Sequence, residues 1–83
     1  MLGIMIFPSQ IRAARALIGM SQTALAELSG VGLATIKRIE ASGHQPTGNA
    51  RTLHRLQSAL EAEGIRFIEA ESGAGPGVRL ALP

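Results

Sequence analysis

The chain has no cysteine, tryptophan, tyrosine or aspartate, and only two phenylalanines among its 83 residues. Without cysteine there are no disulfides, thiolate metal sites or cysteine nucleophiles, and the chain is compatible with a reducing cytoplasm. With so few aromatics, the core has to be assembled from Leu, Ile, Val, Ala and Met. All six acidic residues are glutamates, and no Ser–His–acid spacing stands out, so no catalytic constellation is visible. Long apolar runs are missing too. The opening "MLGIMIF" is too short to span a bilayer and lacks the basic flank and cleavage site of a secretion signal. It stops at Pro8 and reads as a short strand or ordered tail.

What is present is enough to fold. Apolar residues make up 46% of the chain, and its length sets one domain near the lower limit of a self-sufficient core. The net charge of +2 is unevenly spread. Arg12, Arg15, Lys37, Arg38, Arg51 and Arg55 face only Glu27 and Glu40 in the first 60 residues. The remainder holds Arg66 and Arg79 against Glu61, Glu63, Glu69 and Glu71. A basic body suits a polyanionic partner, and an acidic tail does not.

Periodicity divides the chain into four helices and a hairpin. In the first helix, Ser9 can cap, Ile11, Ala14, Leu17 and Ile18 form the inner face, and Gly19 is the exit. Ser21 opens "QTALAELS", with Leu25 and Leu28 inward and Gly30 closing it. "LATIKRIE" buries Ile36 and Ile39 and stops at Ser42-Gly43. After the loop "HQPTGN", in which Thr47 and Asn49 are candidate caps, Leu53, Leu56 and Leu60 define a fourth helix that ends at Gly64. "IRFIEA" and "VRLAL" alternate as strands around the turn-rich "ESGAGPG". Ile65, Phe67 and Glu69 are assigned to one face of that hairpin, Arg66 and Ile68 to the other. A lone hairpin is marginal in water, so it needs a companion. The candidates are the N-terminal run or a second copy of the chain.

The stretch "LAELSGVGLATIKRIE" gives up bulk where two helices meet. A steep crossing with a short turn requires a small residue on the inner face, here Ala26. It also requires a corner residue that tolerates positive φ, here Gly30. Val31 plugs the corner, Ile36 and Ile39 anchor the second helix, and Leu33, Ala34, Lys37 and Arg38 are left facing outward.

The spacing of Ala26, Gly30, Val31, Ile36 and Ile39 resembles the helix-turn-helix of the Cro and phage-repressor (Xre-like) family. Ser21-Gln22 at the start of helix 2 and Ile39-Glu40 before Gly43 extend the resemblance, which covers residues 9–63. The tail is similar to that of small bacterial members. The fold this implies is mainly α: a lambda-repressor-like four-helix DNA-binding domain with a C-terminal β-hairpin, which an N-terminal strand would join. Residues 1–8 are then an apolar tail or strand. Residues 9–63 form the DNA-binding domain, with the motif at 22–40 and the recognition helix at 33–40, and residues 64–83 form a dimerisation hairpin. The sequence departs from the family in having Gly32 where Ser or Thr usually caps the recognition helix, in its apolar Leu33 and Ala34, and in a longer loop.

The resemblance implies a cytoplasmic, non-enzymatic transcriptional regulator that binds double-stranded DNA as a homodimer, with no cofactor and no membrane. An antitoxin-like protein-interaction module on the same fold is the competing reading. Candidate DNA contacts are Gln22, Leu33, Ala34, Thr35, Lys37, Arg38, Arg51 and Arg55. Arg38 can reach guanine O6 and N7 as a bidentate donor, and Lys37 suits phosphate. Leu33 and Ala34 can pack on thymine methyls or simply let the backbone sit close, and Thr35 can touch a base edge or be buried against helix 2. Gln22 at a helix N-terminus suits phosphate, as do Arg51 and Arg55 at the start of helix 4. Arg15 and Glu40 match a structural ion pair of the family, and Ala26, Gly30, Val31 and Ile36 are its structural positions. His44 and His54 stand ten apart with no Cys or Asp between, so no metal site is expected. "GAGPG" reads as a turn, since no Lys-Ser/Thr follows it.

Overall fold

The computed structural model describes residues 6–43 and 48–82. Four helices come first: α1 (Pro8–Ile18), α2 (Gln22–Ser29), α3 (Leu33–Ala41) and α4 (Ala50–Ala62). They are followed by β1 (Ile65–Ile68) and β2 (Gly77–Leu80), paired antiparallel. The mainly helical class and the terminal hairpin are as the sequence implies. The recognition segment runs one residue further, to Ala41, within the usual fraying of a helix end.

The boundaries of α1 and the starts of α2 and α4 have chemical causes. Pro8 sits at the first position of α1, where its missing N–H costs nothing, and Phe7 precedes it in extended conformation. The cap is supplied by Gln10, whose Oε1 accepts from the Phe7 amide at 2.7 Å. Ser9, the expected cap, instead lies inside the first turn. At the other end Gly19 adopts φ 65°, and the amides of Gly19 and Met20 return to the carbonyls of Ala16 and Arg15. Ser21 caps α2 through Oγ, 3.0 Å from the Ala24 amide, and Asn49 caps α4 through Oδ1, 2.8 Å from the Thr52 amide. Thr47 and His44 lie outside the described residues.

The core gathers Ile6, Ile11, Ala14, Leu25, Val31, Ile36, Ile39, Leu56, Leu60 and Ile65. Of the other expected members, Ile18, Leu53 and Phe67 pack partly buried against it, whereas Leu17 and Leu28 do not join it. Leu17 is 46% exposed and Leu28 is 54% exposed. Leu17 is six positions beyond Ile11, about 120° away around the helix, whereas Ala14 and Ile18 stay on the Ile11 side. Leu28 borders a groove where α4 offers only Ser58, Ala59 and Ala62 beside His54 and Arg55, side chains too short or too polar to cover it.

The hairpin pairs Ile65 with Leu80, Arg66 with Arg79, Phe67 with Val78 and Ile68 with Gly77. Ile65 is buried and Arg66 exposed, and Glu69 falls beyond the strand in solvent, outside the face assigned to it with Phe67. "ESGAGPG" is a turn in which Glu71 and Ala74 exchange both backbone hydrogen bonds and Gly73 takes φ 80°. Among the described residues the hairpin's companion within the chain is a helix. Helix α1 fills that place, because the buried Gln10 donates through Nε2 to the carbonyls of Gly77 at 3.0 Å and Ile68 at 3.4 Å. Of residues 1–8, expected as an apolar tail or strand, 1–5 lie outside the described residues, Ile6 is buried in the core, and Pro8 already belongs to α1.

Candidate nucleic-acid interface

The corner between α2 and α3 is built by three residues. Ala26 packs half-buried against the core, and Gly30 takes φ 75° with its amide donating to the Ala26 carbonyl at 3.0 Å. A Cβ at Gly30 would meet nothing closer than Arg55 Nη1 at 3.9 Å, so the backbone angle, not space, calls for glycine. Val31 is buried in the corner. Gly32 then begins α3 without a side-chain cap.

Helix α3 is two-sided. Ile36 and Ile39 are fully buried, while Ala34, Lys37 and Arg38 are exposed. Leu33 and Thr35 are half-buried, so Leu33 is less free than the outward reading required. Arg51 and Arg55 are exposed on the first turns of α4. With Gly30, Val31, Gly32, Thr35, Asn49 and Thr52 they line a cleft of about 430 Å³ beside the corner. Thr35, Arg51 and Arg55 are thus brought together, with Lys37 and Arg38 further along α3.

The C-terminal end of α3 is tied down. Glu40 is buried and forms a two-pronged ion pair with Arg15, Nε to Oε2 at 2.7 Å and Nη2 to Oε1 at 2.6 Å. Hydrogen bonding to Glu40 raises the Arg15 pKa against the opposing effect of partial burial. Arg15 also donates through Nη1 to the Met20 carbonyl at 3.0 Å. Gln22 donates through Nε2 to Glu40 Oε1 at 3.1 Å, so the amide of this candidate phosphate contact is turned toward the protein. One carboxylate therefore links α1, α2 and α3.

Arg12 was missed by sequence reasoning. Its Nη1 donates to the Glu40 backbone carbonyl, one of the orphan acceptors of the last turn of α3. The signal available was its place three residues before Arg15, on the same side of α1. His54 is exposed, with Ser58 Oγ 3.4 Å from its Nε2, and no group of metal-ligating side chains occurs among the described residues. No described helix is long and apolar enough to cross a membrane.

Residues 11–50 match the sequence profile of a family described as Helix-turn-helix, and no curated protein matches the chain. The matched span runs from within α1 to the first residue of α4 and contains the whole corner and the whole of α3. It is a family of DNA-binding domains, not of enzymes. A glycine corner, a helix buried on its isoleucines and bare on its cations, and this profile agree: residues 11–50 are similar to the Cro/phage-repressor (Xre-like) helix-turn-helix, a DNA-binding domain of transcriptional regulators.

Proposed function

We propose that the protein regulates transcription by laying α3 in the major groove of DNA as a homodimer, its two recognition helices about 34 Å apart on one face of the duplex. The observation that carries this reading is the exposed strip Ala34, Lys37 and Arg38, flanked by Arg51 and Arg55 and backed by two fully buried isoleucines. Arg38 reads guanine as a bidentate donor, and Ala34 with the exposed part of Leu33 meets thymine methyls. Lys37, Arg51 and Arg55 meet phosphates, and Thr35 stands at the edge of the cleft between the two sets. Gln22 contributes through the backbone amides at the start of α2, its side chain being held by Glu40.

Selection from random DNA duplexes at two salt concentrations tests the proposal. An enriched two-fold motif is expected, with affinity falling steeply as salt rises and the motif relaxed at one position in Arg38→Ala. Recovery of no motif would reduce the protein to a non-specific DNA binder and remove the assigned base contacts.

A further inference from the structure

Of the eight lysine and arginine residues in the chain, Lys37 is the one lysine. The distinction is chemical. A lysine ammonium can shed its proton to become a nucleophilic amine, whereas an arginine guanidinium stays protonated in proteins. The chain therefore has a single basic side chain whose charge acyl transfer can remove, and it stands on α3. Lys37 is exposed, and its ammonium has no hydrogen-bond or ion-pair partner among the described residues. Arg38 is exposed and equally unpaired there. The nearest carboxylate along the helix, Glu40, is buried and taken up by Arg15 and Gln22. Lys37 and Arg38 lie about 100° apart around α3, and Ala34 and Ala41 fall in the arc between them. Both alanines are exposed. Two cations across a floor of methyl groups attract a small dianion and set no larger side chain in its way.

We propose that Lys37 is an acylation site whose donor is a small acyl phosphate, and that acylation weakens the hold of α3 on DNA. The inference rests on the DNA reading above, in which Lys37 meets a phosphate. The donor sits where a DNA phosphate would, between the Lys37 and Arg38 side chains. Once the ammonium has given a proton to water, Nζ attacks the acyl carbon. The N–C bond forms as the C–O bond to phosphate breaks, and the phosphate leaves with the electron pair of that bond. The surplus proton on the nitrogen passes to water. Arg38 is a positioning residue, holding the donor's phosphate and balancing its charge as it departs. The product is a neutral amide, which keeps one N–H donor and loses the charge that DNA attracts. A duplex lying over α3 shields the amine, so acylation and DNA binding oppose each other.

The test treats the full chain with acetyl phosphate and, separately, with N-acetoxysuccinimide, an uncharged acetyl donor. Peptide mass spectrometry follows the label on Lys37. Arg38→Ala should slow labelling by acetyl phosphate about threefold and leave labelling by the uncharged donor unchanged. Added salt should slow the acetyl phosphate reaction alone. Equal slowing with both donors, or slowing with neither, overturns the donor site. The acetylated chain should bind the selected duplex about tenfold more weakly, with the salt slope reduced by roughly one. An excess of that duplex should protect Lys37 from acetyl phosphate. Lys37→Arg should bind with the same affinity before and after treatment. A loss there would place the effect on another group and overturn the proposal, as would full affinity in the acetylated chain. An untreated chain that binds no duplex overturns the DNA reading and the control of it. The labelling arm needs no DNA, so the two failures are told apart.

Discussion

The two ends of α3 are held in opposite ways. At the C-terminal end Glu40 is buried under Arg15 and Gln22, and Arg12 closes its backbone carbonyl. At the N-terminal end Gly32 offers no side chain, and the nearest cations, Arg51 and Arg55, line an open cleft. The difference teaches where this small domain spends its polar interactions. They fix the direction of the helix from the end away from the corner, and the exposed strip is left free of internal bonds. Lys37 and Arg38 can then be exchanged without disturbing the fold, while Glu40 cannot.

Substitutions at the two ends break or sharpen this contrast. Glu40→Ala has the largest expected effect. It leaves Arg15, whose side chain is only 18% exposed, without its partner and frees Gln22, costing about 3 kcal/mol in urea unfolding. If stability were unchanged, the C-terminal junction would be decoration. Arg38→Ala comes next and moves a different quantity. Affinity for the selected duplex should fall by about 2 kcal/mol, with unfolding free energy altered by less than about 0.5 kcal/mol. A matching loss of stability would mean that the exposed strip is part of the fold after all. Gly30→Ala should cost about 1 kcal/mol through its φ of 75° alone, since a methyl there meets no atom closer than 3.9 Å. Thermal unfolding reads that shift. Gly32→Ser is the smallest change, a gain of a few tenths of a kcal/mol from a new N-cap. A larger gain would show that the bare end limits the stability of α3.

Much of this was legible in the sequence because it is local. Gly19 and Gly30 announce their left-handed exits, Ser21 and Asn49 their caps, and Ile36 with Ile39 the inner side of α3. The failures have a common origin in packing that local spacing does not encode. Leu28 has leucine spacing from Leu25, but the side chains facing it across α4 are too short to cover it. The burial of Gln10 had no signal in its local spacing, because its partners Ile68 and Gly77 are distant in the chain. Of the interface, the exposure of Ala34, Lys37 and Arg38 follows from the helical period. The inward turn of Gln22 and the role of Arg12 depend on where α1 crosses α3, which no spacing within either helix specifies.

The Gln10 side chain has a wider consequence. Its oxygen starts α1, and its nitrogen clasps both strands of the hairpin, so one amide sews together segments 58 and 67 residues apart in the chain. Closure over such distances comes late in folding. A shortened version of the chain lacking the strands would therefore fray at its first turn. Amide exchange at Phe7 and at the β2 residues should accelerate together when Gln10 is replaced by alanine, the unbuckling of a single clasp.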